Sequence, residues 1–168
     1  MIPSNEFNLL IDCLKAGKIA CLEFNDETLL VCNACIAEAS IKLASAQSPQ
    51  TVLISEDRFL IKHVKNVPEQ AFELIDVSEN PITIIYDYPF GLAPSLATNE
   101  NTVAIQYNKN IDLAAIIRRL NNPLAVIIKQ GTVNYNSDFL VRINSPINFA
   151  NASILQLKNN GIVKILKH

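Results

Sequence analysis

Short, almost wholly apolar segments are the feature of this sequence that most limits its possible folds. "KIACLEF" (18–24), "PITIIYDY" (81–88) and "PLAVIIK" (123–129) contain few polar residues, as is typical of strands buried on both faces. Segments with helical periodicity lie between many of them, for example "LAAIIRRL" (113–120), whose apolar residues share one face. This alternation predicts a single α/β domain over residues 1–168, in which helices flank a sheet.

Short links between neighbouring strands predict that the sheet is mixed. The links at 24–28 and 158–161 are too short for a parallel crossover, and the link at 87–102 is a loop with Pro, Gly and Asn rather than a crossover helix, so we expect antiparallel pairs at all three. The remaining strands are separated by helical segments and can pair in parallel. We therefore expect a twisted sheet of parallel and antiparallel strands, and Asp112 is the expected N-cap of the helix that follows it.

Composition excludes several classes of protein. The chain has 168 residues, of which 49% are hydrophobic and 18% charged, so it is globular rather than disordered. Its apolar runs are too short to span a bilayer, and it begins with no secretion signal, so we expect a cytoplasmic protein without a membrane partner.

The charge balance argues against strong, nonspecific binding to nucleic acids. The formal net charge is −2, and the 14 lysines and arginines are scattered along the chain rather than clustered. This balance does not exclude a local basic face, for which Arg118 and Arg119 are the candidate RNA-binding residues. The alternative for this pair is a solvated helix end, where positive charge also complements the helix dipole.

Motifs for catalysis and metal binding are sparse. There is no glycine-rich dinucleotide motif, P-loop or nucleophile elbow. Cys32 and Cys35 form a C-x-x-C without the further ligands of a zinc site, so reduced packing cysteines are expected, with zinc or redox chemistry as the alternative. His63 is expected on an exposed helical face. The carboxylates of the turn 23–27 could hold Mg²⁺, although a solvated turn is the commoner meaning of such a cluster.

Several segments follow one another in the order of the motifs of a known family. "LKAGKIACLEFNDETLLVCNA" (14–34) aligns without a gap with "LKxGGIVAYPTDTVYGLGCDA", and "VPEQAFELIDVSENPITIIY" (67–86) is similar to "VPExAxxLxxxFWPGPLTLVL". "NTVAIQY" (101–107), "NNPLAVIIKQG" (121–131) and "NASILQLKNNGIVKILKH" (151–168) are similar to later motifs of the same series. Each match is weak, but the ordered series covers nearly the whole chain. It resembles the YrdC-like family, which includes the L-threonylcarbamoyladenylate synthases.

The resemblance implies both a fold and an activity. The fold is a twisted mixed sheet flanked by helices, with a large cavity on one face. The activity is the condensation of threonine, bicarbonate and ATP into threonylcarbamoyl-adenylate for tRNA modification, with ATP and Mg²⁺ as cofactors. Members of the family are also described as binding double-stranded RNA or tRNA.

Most positions that would bind substrates in this family carry other residue types here. The "PTDT" run aligns with residues 23–26, the "KxR" pair falls near Gln47, and the strand arginine of "VAVR" becomes Gln106. Lys167 aligns with an arginine near the end of the family pattern, and this is the one conservative change. The candidate ligand-binding positions carried over from the family are Phe24, Asn25, Asp26, Gln47, Gln106, Lys129, Gln130, Ser153 and Lys167.

These replacements predict that the synthase chemistry is lost. Three cations of the family's phosphate site are missing, and each charge-assisted hydrogen bond contributes about 1.5–3 kcal/mol. We expect a YrdC-like protein without synthase activity that binds a nucleotide, RNA or another small ligand. One alternative is a divergent synthase in which Lys129 and Lys167 replace the missing cations. Another is an interaction protein that pairs with a partner or with itself.

Overall fold

Helices and strands alternate along the chain as the sequence predicts. The structure is a computed structural model that describes residues 2–44, 50–129 and 137–167. Within these residues the helices are α1 (Ser4–Lys15), α2 (Ala37–Ala44), α3 (Asp57–His63), α4 (Glu69–Val77) and α5 (Ile111–Leu120). The strands are β1 (Ala20–Glu23), β2 (Thr28–Asn33), β3 (Thr51–Ile54), β4 (Ile82–Asp87), β5 (Thr102–Tyr107), β6 (Leu124–Ile128), β7 (Phe139–Arg142), β8 (Ser153–Leu157) and β9 (Val163–Lys167).

The strands of the described residues form one mixed sheet. Their order is β7-β1-β2-β6-β3-β5-β4-β8-β9. The pairs β1/β7, β3/β5 and β4/β8 are parallel, and the other neighbours are antiparallel. The three short links join β1 to β2, β4 to β5 and β8 to β9, so the antiparallel pairs expected there are confirmed. The predicted α/β fold with a mixed sheet flanked by helices is also confirmed.

The core follows from the apolar strands. β2, β3 and β6 lie inside the sheet and are buried along nearly their whole length, which explains their lack of polar residues. The helices α1 and α5 pack against each other, and α2 packs on β2. Each fully buried aliphatic side chain contributes about 1.5–3 kcal/mol to the free energy of unfolding. No helix in the described ranges combines the length and the apolar character needed to cross a membrane.

The connection between β7 and β8 carries the chain across the sheet. We call its residues, 143–152, the crossing segment. The two strands are seven positions apart in the sheet order, which corresponds to about 34 Å in a flat sheet. The crossing segment reaches roughly 36 Å only when fully extended. Because it bends at 144–145 and turns at 150–151, the sheet must curl to bring the two strands within its reach.

Asn110, rather than Asp112, caps α5, so the sequence prediction for Asp112 is wrong. Asn110 has extended backbone angles, and its side chain accepts a hydrogen bond from the Leu113 N–H at 2.9 Å. Asp112 lies inside the first turn and accepts a hydrogen bond from Ser145 Oγ. The prediction put the start of the helix too late because the periodic apolar residues begin only at Leu113, whereas the helix begins at Ile111.

Asn110 also ties α5 to the crossing segment. Its side chain therefore stabilises the fold in two ways, as a helix cap and as a link to this segment, and two variants can separate them. Its Nδ2 donates to Ser145 Oγ at 3.0 Å and to the Pro146 carbonyl at 2.9 Å. We expect Asn110→Ala to lower the free energy of unfolding by about 2 kcal/mol, because both the cap and these bonds are lost. Asn110→Ser keeps a capping hydroxyl and should cost about half as much. Urea denaturation measures both values, and a wild-type stability for the serine variant would contradict a role for the tie.

Candidate functional site

A cavity of about 270 Å³ lies on the face of the sheet beside the crossing segment. Neighbouring strands supply its polar side chains: Thr83 on β4 is paired in register with Gln106 on β5, and Lys167 on β9 is paired with Ile154 on β8. The described lining residues are Thr51, Thr83, Gln106, Ile128, Phe149, Ala150, Ala152, Ile154 and Lys167. The cavity therefore brings together two of the predicted ligand-binding residues, Gln106 and Lys167.

Gln106 is the centre of a buried amide network. Its side chain is only 1% exposed, and its Nε2 donates to Thr83 Oγ1 at 3.1 Å and to the Phe149 carbonyl at 3.2 Å. Its Oε1 accepts a hydrogen bond of 2.9 Å from Asn108 Nδ2, which also donates to the Ile147 carbonyl. Both amide donors and the acceptor of Gln106 are thus used by the protein itself.

Lys167 brings a positive charge to the cavity. Its Nζ donates to the Ala150 carbonyl at 2.7 Å, which points the ammonium toward the crossing segment. An ammonium has three donors, so two remain for a ligand. Among the lining residues that the structure describes, no other lysine or arginine occurs. Within this described lining, the ammonium of Lys167 is surrounded by neutral groups.

Asp26, in the first turn, holds the crossing segment from the outside. Its Oδ1 accepts a hydrogen bond from the Ile147 N–H at 2.9 Å, and its Oδ2 accepts one from the Asn148 N–H at 2.8 Å. Partial burial alone raises the pKa of Asp26, but the backbone hydrogen bonds outweigh it, and the net pKa lies below its ordinary value. The charged carboxylate is therefore the form that fixes the segment.

The rest of the turn 23–27 supports the cavity wall without lining it. The Asn25 N–H donates to the Ser145 carbonyl at 3.0 Å, and the Glu27 carboxylate accepts from the Ala150 N–H. Phe24 is only 7% exposed and packs into the hydrophobic core. The carboxylates of Asp26 and Glu27, considered above for Mg²⁺, act here as acceptors for backbone N–H groups. None of these side chains lies among the described lining residues of the cavity.

The other predicted ligand-binding residues are not brought to the cavity by the described structure. Lys129 is half-buried, and its backbone N–H donates to the Thr28 carbonyl at 2.9 Å. Ser153 is half-buried at the start of β8. Neither residue belongs to the described lining. Gln47 and Gln130 lie outside the described residues.

The two arginines proposed for RNA binding lie in different surroundings. Arg118 Nε is 3.2 Å from Glu56 Oε1, and the same carboxylate pairs with Arg58 at 3.5 Å. Arg119, the next residue along α5, instead lines a groove between α5 and α1. Because consecutive helical residues point about 100° apart, the two guanidinium groups do not share a face.

His63 is buried rather than exposed, so the prediction made for it is wrong. It is 2% exposed because it lies on the core-facing side of α3, and its Nδ1 is 3.1 Å from the Phe90 carbonyl oxygen. Burial lowers the pKa of His63, so the ring is neutral at pH 7. Burial also raises the pKa of Cys32 to about 12, and Cys35 is half-buried. In the described part of the chain, no three His, Cys, Asp or Glu residues are placed to hold a metal ion.

Sequence reasoning missed several residues of the cavity and of the amide network beside it. Asn108 follows Gln106 by two residues, so strand alternation places both on the same side. Thr83 is likewise a polar residue within the apolar segment "PITIIY". Polar side chains inside otherwise buried strands are the signal that could have revealed the network. Phe149 belongs to the irregular crossing segment, and no sequence pattern indicates its position.

The pKa of Asp26 gives a test of how the turn holds the crossing segment. A carboxyl with a lowered pKa stabilises the folded state above its unfolded pKa of about 3.9, and this contribution is lost as the pH falls through the folded value. Asp26→Asn should therefore lower the free energy of unfolding at pH 7 by on the order of 1 kcal/mol, since the turn is exposed. Urea denaturation at pH 7 and pH 3 checks this. The difference between variant and wild type should shrink at pH 3, and an equal difference at both values would contradict the assignment.

Comparisons with known proteins give structural matches alone. No family model matches the chain, and no curated protein matches its sequence. P. abyssi Sua5, in a crystal structure complexed with L-threonine, superposes with a TM-score of 0.78 at 14% identity and covers 94% of this chain. The match takes in 52% of the Sua5 chain, so this chain spans about half the length of that protein.

Two smaller proteins match over nearly their whole length. E. coli YciO has a TM-score of 0.78 at 12% identity, covering 99% of this chain and 90% of its own. MTH1692 from Methanobacterium thermoautotrophicum has a TM-score of 0.66 at 13% identity, covering 100% of this chain and 88% of its own. Together with the strand order described above, these likenesses assign the YrdC-like fold to the chain.

Proposed function

We propose that this chain is a YrdC-like protein related to those of tRNA threonylcarbamoyladenosine formation, that it lacks the synthase activity, and that its cavity binds a small ligand. The observation that carries the proposal is Gln106. This residue stands where the family motif has a strand arginine, and both N–H donors of its amide are used within the protein. It offers a triphosphate neither charge nor a free donor.

The electrostatics of the cavity disfavour ATP. A triphosphate site needs several cations or N–H donors, because its negative charge must be compensated once water is removed. The described lining supplies the ammonium of Lys167 alone.

The same features fit a compact ligand with one carboxylate, of the size of an amino acid. Lys167 has two unused donors for the carboxylate, and the hydroxyls of Thr51 and Thr83 can bond further polar groups. Ile128 and Ile154 form an apolar wall for a short side chain. The Sua5 crystal structure contains L-threonine, and a molecule of this class is the ligand that we propose here.

RNA is not part of this proposal. Phosphate recognition needs several cations on one face, whereas Arg118 is paired with Glu56 and Arg119 points elsewhere. The net charge of −2 adds no long-range attraction for a polyanion.

A direct assay separates this proposal from the divergent synthase. We expect isothermal titration with Mg²⁺-ATP to give no binding in the micromolar range, because the phosphate-binding cations are missing. We also expect no threonylcarbamoyl-adenylate from ATP, threonine and bicarbonate, with P. abyssi Sua5 tested alongside as a comparison. Formation of this product by the chain would contradict the proposal and favour the synthase.

The ligand itself is tested with two lysines of the same strand. Both lysines are exposed on β9, but Lys167 lines the cavity, whereas Lys164 lies outside the described lining. We expect L-threonine to bind the wild type, and Lys167→Met to weaken binding at least tenfold, since a charge-assisted hydrogen bond contributes about 1.5–3 kcal/mol. Lys164→Met should have no effect, and the methyl ester of threonine should bind poorly. Isothermal titration or NMR shifts give the dissociation constants. If both variants lost the same affinity for L-threonine, Lys167 would not be the residue that binds the carboxylate.

A further inference from the structure

A second and larger cavity, of about 400 Å³, lies between α1 and α5. Its described lining residues are Ile2, Ser4, Phe7, Asn8, Ile111, Asp112, Ala115 and Arg119. We call it the α1–α5 groove. It shares no described lining residue with the cavity at Gln106, and nothing in the function proposed above uses it.

The groove is formed by matching faces of two helices. Ile111, Ala115 and Arg119 follow one another at four-residue intervals, so they form one stripe along α5. Phe7 and Asn8 lie on the opposing face of α1. Ala115 has a methyl side chain in the middle of the stripe and leaves the space open.

The two ends of the groove differ in chemistry. Ile111 is 83% exposed at the start of α5, so a large apolar side chain lies there without packing. Arg119 lies at the other end, about 12 Å away along the helix axis. Its guanidinium makes no hydrogen bond or ion pair with any residue that the structure describes, in contrast to Arg118, which pairs with Glu56.

We propose that the α1–α5 groove binds an elongated amphipathic monocarboxylate, such as a medium-chain acyl acid. The carboxylate bonds Arg119, whose planar guanidinium matches two carboxylate oxygens. The apolar chain runs along Ala115 and Phe7 to Ile111. The volume of the groove lies within the range of small-molecule sites, ~300–1,000 Å³.

The neighbouring arginines provide a matched test with octanoate as the probe. Isothermal titration of the full chain should show that octanoate binds the wild type and that Arg119→Gln weakens it at least tenfold. Arg118→Gln changes the charge of the protein equally but should leave binding unchanged. 1-Octanol has the same apolar chain without the carboxylate, and Arg119→Gln should hardly alter its binding.

A second variant tests the apolar part of the groove. Ala115→Phe places a ring in the open space and should abolish binding of both octanoate and 1-octanol, while Lys164→Met, a change outside the described lining of both cavities, should leave both unchanged. Ala115 is exposed, so the urea midpoint of this variant should stay close to that of the wild type. The proposal is wrong if octanoate does not bind the wild type, if both arginine variants weaken it equally, or if Ala115→Phe still binds it.

Discussion

The hydrogen bonds from Gln106 and Asn108 to the crossing segment are the interactions on which the cavity depends. They satisfy the carbonyl groups of Ile147 and Phe149 at the sheet face, where an unpaired polar group would cost about 1–3 kcal/mol. On its outer side the same segment is held by the carboxylate of Asp26. Neutral amides serve the buried side and a charge serves the exposed side, which avoids the cost of burying an ion.

The neutral side chain at position 106 makes the cavity wall independent of a bound anion. A buried arginine at position 106 would need a ligand or a carboxylate to compensate its charge, so the unliganded protein would pay for its desolvation. Gln106 needs neither, because it is neutral, Thr83 and the Phe149 carbonyl accept from both of its N–H donors, and Asn108 donates to its oxygen. The cavity wall is thus stable without an anion. Gln106 therefore offers no N–H donor to an anionic group in the cavity.

The sequence predicted the fold better than the site, for physical reasons. Buried strands and short links leave local patterns, so the antiparallel pairs and the mixed sheet were correctly expected. Helix ends and burial depend on a few residues, and Asp112 and His63 were wrongly placed. Motif order singled out Gln106 and Lys167, which line the same cavity, but it gave no indication of their hydrogen-bond partners. The crossing segment has no periodicity, and Asp26 meets Ile147 across 121 positions of sequence, a contact that the curl of the sheet creates.

The helix α5 shows how one element contributes to both cavities. Its cap, Asn110, is bonded to Ser145 and Pro146 of the crossing segment, which forms the wall of the smaller cavity. Its stripe from Ile111 to Arg119 forms one side of the groove. The type of a residue does not reveal which cavity it contributes to. Arg118 and Arg119 are neighbours of the same type, yet their surroundings differ. The two cavities are therefore chemically independent, yet the position of α5 sets the geometry of both.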